Sequence, residues 1–193
     1  MGRRALLSWS VAIALATGGM VWNGAVPAAA HTAAVSINFD DHAAPCLFED
    51  TKPLRGQLID QGANFKGPST NGGGAVLNEC GNFGVSGYSP PNFLAFNYAS
   101  QLKSGGIPRG PETIVFPLAT YTHVQINVAA TSGGRALLQA FDVNDQLVAS
   151  STISLSSTLA TISVDDPNGR ATIKAVRLNT HQSVWVADDL SAS

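Results

Sequence analysis

The chain has 193 residues, 45% of them hydrophobic and only 12% charged, with a formal net charge of −2. Beyond its first thirty residues it holds no run of Lys or Arg, which argues against a nucleic-acid binder that would meet phosphates with clustered cations. Few charges with abundant Gly, Ser, Thr, Asn and Ala match exported β-proteins rich in turns.

The first segment has the three parts of a secretory signal peptide. Arg3 and Arg4 precede the apolar stretch "ALLSWSVAIALATGGMVW", and Ala28 to Ala30 offer an Ala-x-Ala cleavage site. The alternative is a single membrane anchor, which Gly18, Gly19 and the small residues weaken against a span of about 20 clean apolar residues. Residues 1–30 are therefore expected to be removed, leaving residues 31–193 as one secreted domain. The loss takes away two arginines and no acid, moving the net charge to about −4. Cys46 and Cys80 both fall in the remaining part. An even count in an exported protein suggests a disulfide, with free thiols or half a metal site as the weaker alternative.

"VSINF", from Val35, is a strand by composition and runs into Asp40 and Asp41. "LRGQLIDQGANFKGP" reads as a turn or short strand, then Gly62, then a short strand ending at Gly67-Pro68. A glycine-rich stretch follows, "NGGGAVLNECGNFGVSGYSPPNFLAFNYAS", in which glycines and Pro90-Pro91 enforce loops before "NFLAFNYA" resumes a strand. Period-two patterns dominate from there. In "HVQINVAA", Val124, Ile126 and Val128 share one face. "RALLQAFDVNDQLVASSTISL" reads as two strands around Asn144-Asp145, a pair that tolerates the positive φ of a tight hairpin turn. "LATISV" is a strand, "DDPNGR" is turn chemistry, and the apolar phase of "ATIKAVRLN" shifts between Ile173 and Val176, predicting a bulge or burial on both faces. "SVWVADDL" is the last strand. The second half reads as an antiparallel meander. No stretch carries a helical period, so the expected fold is all-β, an antiparallel jelly-roll β-sandwich.

Catalytic signatures are poor. His31, His42, His123 and His181 are scattered without a metal-protease pattern. "GVSGY" around Ser86 lacks the nucleophile-elbow spacing. Asp142, Asp145, Asp165 and Asp166 sit beside turn residues, where capping is the ordinary role, although paired carboxylates also serve glycosidases. The chain is expected not to be an enzyme, with a glycan-active hydrolase as the remote alternative. Sugar binding draws on rings and amides. "GNFGVSGYSPPNFLAFNY" places Phe83, Tyr88, Phe93, Phe96 and Tyr98 among Asn82, Asn92 and Asn97. Phe93 and Phe96 read as core, leaving Tyr88, Asn92 and Asn97 as candidate ligand contacts. Trp185, the sole tryptophan after residue 30, reads as packing on the last strand.

Taken together, "INFDD", "QGANFKGP", "LLQAFDVNDQLV" and "VWVADDL" resemble a group of exported bacterial β-sandwich domains found in PEP-CTERM-type sorted proteins. These are similar to galactose-binding-like jelly rolls and carbohydrate-binding modules. The resemblance implies a structural Ca²⁺ between the first and last strands, with Asp40 and Asp188 as leading ligands and Asp41 and Asp189 beside them. Regular alternation sends one acid of each pair inward. The alternative is that these acids accept turn N–H bonds. The expected function is a secreted, non-catalytic domain with a calcium site that binds extracellular carbohydrate. The alternative is a structural or protein-interaction domain of the envelope or matrix, in either case with no membrane span after cleavage.

Overall fold

Two antiparallel sheets face each other in this computed structural model, which describes residues 33–47, 50–68, 73–81, 83–95, 110–180 and 185–193. By contacts the chain divides into Met1–Ala30 and His31–Ser193, and every described residue belongs to the second unit. Its strands, among the described residues, are β1 (Val35–Ile37), β2 (Asn64–Phe65), β3 (Ala75–Asn78), β4 (Asn92–Ala95), β5 (Glu112–Val115), β6 (His123–Ala129), β7 (Gly134–Phe141), β8 (Leu147–Leu155), β9 (Ala160–Asp165), β10 (Ala175–Thr180) and β11 (Val186–Ala192). One sheet runs β3-β4-β11-β6-β9, with β1 also pairing β11, and the other runs β2-β5-β10-β7-β8.

The pairing is nested. β7 pairs β8, β6 pairs β9, β5 pairs β10 and β4 pairs β11, as if one long hairpin had been rolled over on itself. Rolling adds the second contacts of each inner strand, β10 with β7 and β11 with β6. That is a jelly roll, as the sequence predicts. The meander is corrected. Only β7 and β8 are neighbours both in sequence and in a sheet within this second half, because each later strand must return to its nested partner in the opposite layer.

The hairpin tip lies at Asn144-Asp145, where Asp145 takes φ 59° as the turn requires. Asp142 holds this turn, its Oδ1 accepting the backbone N–H groups of Asn144 and Gln146. The phase shift in "ATIKAVRLN" also has a cause. Ile173 pairs with Tyr121 in an isolated bridge, and the regular strand begins only at Ala175. The predicted turn before β2 becomes a 3-10 segment, Arg55–Gln61, closed by Gly62 at φ 93°. A side chain there would also strike Val35 Cγ2 at 2.8 Å, so the position demands glycine on two counts.

Between the layers, Val124, Ile126, Val128, Ile162 and Val164 of one sheet meet Ala136, Leu138, Ala140, Val176 and Leu178 of the other, all buried. Each large aliphatic chain removed from water contributes about 1.5–3 kcal/mol against the entropy of ordering the chain. At one end Phe116 and Tyr121 pack edge to face with ring centres 5.1 Å apart, and Trp185 is buried as expected.

Candidate functional site

The two acid pairs do come near each other, since β1 lies antiparallel to β11 with Ile37 opposite Leu190. What they meet is a strap of chain. Residues 83–91 cross the outer face of the six-stranded sheet, with Ser86 bridging to Thr158 beyond its far side and Leu159 donating its N–H to Ser86 O. Asp188, with no exposed surface, accepts the N–H and the hydroxyl of Ser89 on Oδ2, at 2.7 and 2.9 Å, and the N–H of Asp189 on Oδ1. Asp40 Oδ1 accepts the N–H of Asn92 at 3.1 Å. The two acids thus hold opposite ends of the short Ser89–Asn92 run, which contains the cis Pro90-Pro91 bond.

Regular alternation fails in β11, and this is a correction. A bulge opens between Asp188 and Ser191, with Asp189 at φ 51°. Asp188 lies opposite Asn127 on the outward-facing row, and Asp189 stays on that side too, accepting a hydrogen bond from Asn127 Nδ2. An extra residue in one strand costs one step of alternation, so neither acid points into the sandwich core.

Burial pushes the Asp188 carboxyl up to about 6, against the pull of the three donors, with the Asp189 charge adding to the rise. Asp41 is exposed. Among the described residues no group of three or more His, Cys, Asp or Glu side chains stands close enough to hold a metal ion. The donor set around Asp40 and Asp188 is made of N–H and O–H groups aimed at the oxygens a calcium ion would need, so these residues fit hydrogen-bond acceptance better than calcium.

Asn92 is 2% exposed and fully engaged. Its amide nitrogen lies within hydrogen-bond reach of the carbonyls of Phe39, Asp40 and His42, the last at 2.7 Å, and its Oδ1 accepts Asn78 Nδ2. It serves as a strut for the 39–42 loop, with no donor left for a ligand. Tyr88 is half-buried with its ring edge-on to Phe93 at 5.0 Å, and Phe83 packs on the other flank of Phe93 at 6.5 Å. Val85 and Phe93 belong to the main core cluster, and Phe83 and Tyr88 pack against it beneath the strap. Asn97, Asn82, Phe96 and Tyr98 lie outside the described residues, as does the signal-peptide segment.

The loop that Asn92 supports has a second side. Cys46 is bonded to Cys80, joining the exit of β1 to the exit of β3 across 34 residues. Beside it opens a cleft of about 170 Å³ lined by His42, Pro45, Asp50, Lys52, Leu54, Gln57, Val76 and Ala43. Leu54 and Val76 are buried and make an apolar floor. His42, Asp50, Lys52 and Gln57 supply polar groups, and His42 Nε2 is shielded from solvent without a hydrogen-bond partner. Sequence reading missed this set, because its members span residues 42 to 76 with no spacing that marks them as neighbours. The sole local hint was a histidine placed directly after the Asp40-Asp41 pair.

Glu112 was also missed. At 1% exposure it accepts the backbone N–H groups of Gly67 and Gly74, clasping both ends of residues 67–74. Burial pushes its carboxyl up to about 7, opposed by those two N–H groups and by the charge of Arg55. Other acids serve turns and surface pairs. Asp166 accepts the Thr172 hydroxyl and the Asn168 N–H, which hold it below the ordinary carboxylate value. Asp145 pairs with Arg177, whose guanidinium lies 4.0 Å above the Phe141 ring. Among the described residues no helix is long and apolar enough to cross a membrane.

No protein-family profile matches the chain, and no curated protein does. Solved structures do. The chain is similar to the K2 cleaved adhesin domain of Lys-gingipain, at 12% identity and a TM-score of 0.51, over 83% of this chain and 98% of that one. It is also similar to an arabinose-bound GH51 α-L-arabinofuranosidase, at 10% identity and a TM-score of 0.45, over 83% of this chain and 31% of the enzyme. A family 11 carbohydrate-binding module from Clostridium thermocellum, solved with a β-1,3-1,4-mixed-linked tetrasaccharide, aligns at 10% identity and a TM-score of 0.29, over 67% of this chain and 80% of the module. The last two scores are too low to support an argument. At these identities the adhesin domain establishes the fold, a β-sandwich, and nothing about the ligand.

Proposed function

We propose that the chain is an exported, non-catalytic binding domain that holds one unit of an extracellular carbohydrate in the cleft between His42 and Gln57. The observation that carries this reading is the cleft's make-up. An apolar floor of Leu54 and Val76 with polar groups from His42, Asp50, Lys52 and Gln57 matches a pyranose ring, which has C–H faces and a belt of hydroxyls. At about 170 Å³ the space lies well below the ~300 Å³ at which drug-sized pockets begin, which suits one sugar ring. The walls are held before any ligand arrives, by the disulfide and by the three carbonyls around the Asn92 amide. Preorganisation of that kind lowers the entropy cost of binding. His42 Nε2 is buried beside the cleft without a hydrogen-bond partner, so a small turn of the ring on binding would let a sugar hydroxyl satisfy it. Among the described residues no Phe, Tyr or Trp lines the cleft, so the affinity per unit is expected to be weak and gained through repeated units.

Export is supported by the disulfide and by the Arg-apolar-small order of residues 1–30. The test is a nuclear magnetic resonance titration with neutral hexoses, arabinose and glucuronate, followed by polysaccharide pull-down. One sugar class should shift the amides of residues 42–57, and Gln57→Ala with Lys52→Ala should abolish the shifts. Shifts confined to other surfaces, or none with any sugar, would leave a structural or protein-interaction domain.

A further inference from the structure

Each sheet of the sandwich ends in an edge strand, and the four edges differ in how they are finished. β2 has two residues and β3 four, and the chain around β3 is used, with Asn78 N–H bonded to Pro45 O and Leu54 N–H to Gly74 O. β9 ends on the charged Asp165, and the bridge between Ser86 and Thr158 lies just before its start. β8 is different. It is the longest strand among the described residues, at nine residues, and "LVASSTISL" contains no charge and no proline. Among the described residues it pairs only with β7. Natural edges of this length are normally blunted by lysine, proline or an inward charge, because unpaired N–H and C=O groups recruit another strand.

The residues along β8 also point to the occupant. Ala149, Ser151 and Ile153 lie opposite buried Ala140, Leu138 and Ala136 on the core side, yet each is only half-buried. Ser150, Thr152 and Ser154 are exposed on the outer side. Directly opposed residues in an antiparallel pair share a face, so a twofold axis between two identical strands must pass through a residue. Centred on Ser151, it sets Ala149 against Ile153, Ser150 against Thr152 and Ser151 against itself. On the core side Ala149 meets Ile153 on either flank of the central Ser151 pair, outside Ser150 meets Thr152, and no charge is opposed.

We propose that the free edge of β8 pairs antiparallel with β8 of a second copy of this chain about an axis at Ser151. Two five-stranded sheets then join into one of ten, and the half-buried Ile153 of each copy is covered by Ala149 of the other. Association is by main-chain hydrogen bonds over a short edge, so it is reversible and depends on concentration. This surface lies apart from the sugar cleft, and its test does not depend on any ligand.

Sedimentation velocity of the purified chain should show a monomer–dimer equilibrium. Ser151→Cys, oxidised, should give a reducible covalent dimer, because opposed Cα atoms about 4.5–5.5 Å apart suit a disulfide. Ser157→Cys, in the turn after the strand, should not. Ser151→Lys sets two ammonium groups against each other across the axis and should abolish dimerisation, whereas Ser163→Lys on β9 should leave it intact. If Ser151→Lys also lowers the melting temperature, the cysteine pair decides. A chain monomeric at its highest soluble concentration overturns the proposal. So does crosslinking no better at 151 than at 157, association that survives Ser151→Lys, or pairing of β8 only with a strand of another protein.

Discussion

Asp188 is a carboxylate with no exposed surface and three hydrogen bonds, and its behaviour with pH follows from that balance. Its value in the fold, about 6, lies above the ordinary 3.8. The unfolded chain therefore gives up this proton first as pH rises, and the group's contribution to stability falls between about pH 4 and 6. Asp188→Asn removes that slope. It also turns an amide nitrogen toward either Ser89 or the Asp189 N–H, leaving a donor without an acceptor at a cost of about 1–3 kcal/mol. Thermal melts from pH 4 to 7 should show a lower, flatter curve for the variant; an unchanged slope would mean that Asp188 titrates normally. The same geometry bears on calcium. With N–H and O–H groups on the oxygens of Asp40 and Asp188, the melting temperature should be equal in excess Ca²⁺ and in chelator after bound metal is stripped. A rise of several degrees in Ca²⁺ would restore these acids as ligands.

At the scale of elements, the strap and its supports are the part to perturb. Asn92 joins β4 to the loop after β1 through the carbonyls of Phe39, Asp40 and His42, and Asn92→Ala strands all three at once. A loss of about 3 kcal/mol is expected, read by chemical denaturation, together with weaker sugar-induced shifts at His42. Removing the Cys46–Cys80 bond frees a loop of about 35 residues, which the chain-entropy treatment values at up to about 4 kcal/mol. The double Ser variant should unfold at lower denaturant, and a change under 1 kcal/mol would mean that Asn92 and the core already fix the loop. These elements differed in how readable they were. The strands β6, β7 and β9 alternate over most of their length because one face of each meets the core. β4 does not alternate, since all four of its residues are buried. The strap covers its outer side as the sandwich core covers its inner side, and no local pattern announces a cover supplied by distant residues.

For the whole molecule, two buried carboxylates set the dependence on pH. Glu112 moves from 4.5 to about 7, so the unfolded chain also loses this proton first, and stability falls as pH rises from about 4.5 to 7 by about 3 kcal/mol. Asp142 and Asp166 act oppositely, since each is held below 3.8, and their contribution is lost only as pH falls under that value. Maximum stability is thus expected near pH 4 to 4.5, acid of the usual range. Glu112→Gln should remove most of the decline toward pH 7, and a native chain most stable at pH 7 would contradict the assignment. The nested topology sets the folding behaviour. β11 is held between β4 and β6 but arrives last in the chain, so truncation before Val186 should abolish cooperative unfolding by calorimetry. Long-range pairs such as β4 with β11 also predict slow folding, in milliseconds to seconds.

Local chemistry was enough to place most of the strands, the Asn144-Asp145 turn, the buried Trp185 and the partnership of Cys46 with Cys80, because period, turn residues and cysteine number act over a few residues or in the whole composition. The jelly-roll class followed from many short strands without helices. The sheet each strand joins did not, since an alternating strand fits equally well beside any other, and only nested return of the chain sends β6, β9 and β11 to one layer and β7, β8 and β10 to the other. The bulge at Asp189 was hidden for the same reason: it answers to the register with β6, about sixty residues away. The fate of the acids was decided there as well. Whether a carboxylate meets a cation or an amide depends on what lies within 3 Å of it, and for Asp188 that is Ser89, brought over the sheet by a strap that the sequence shows only as glycines and prolines.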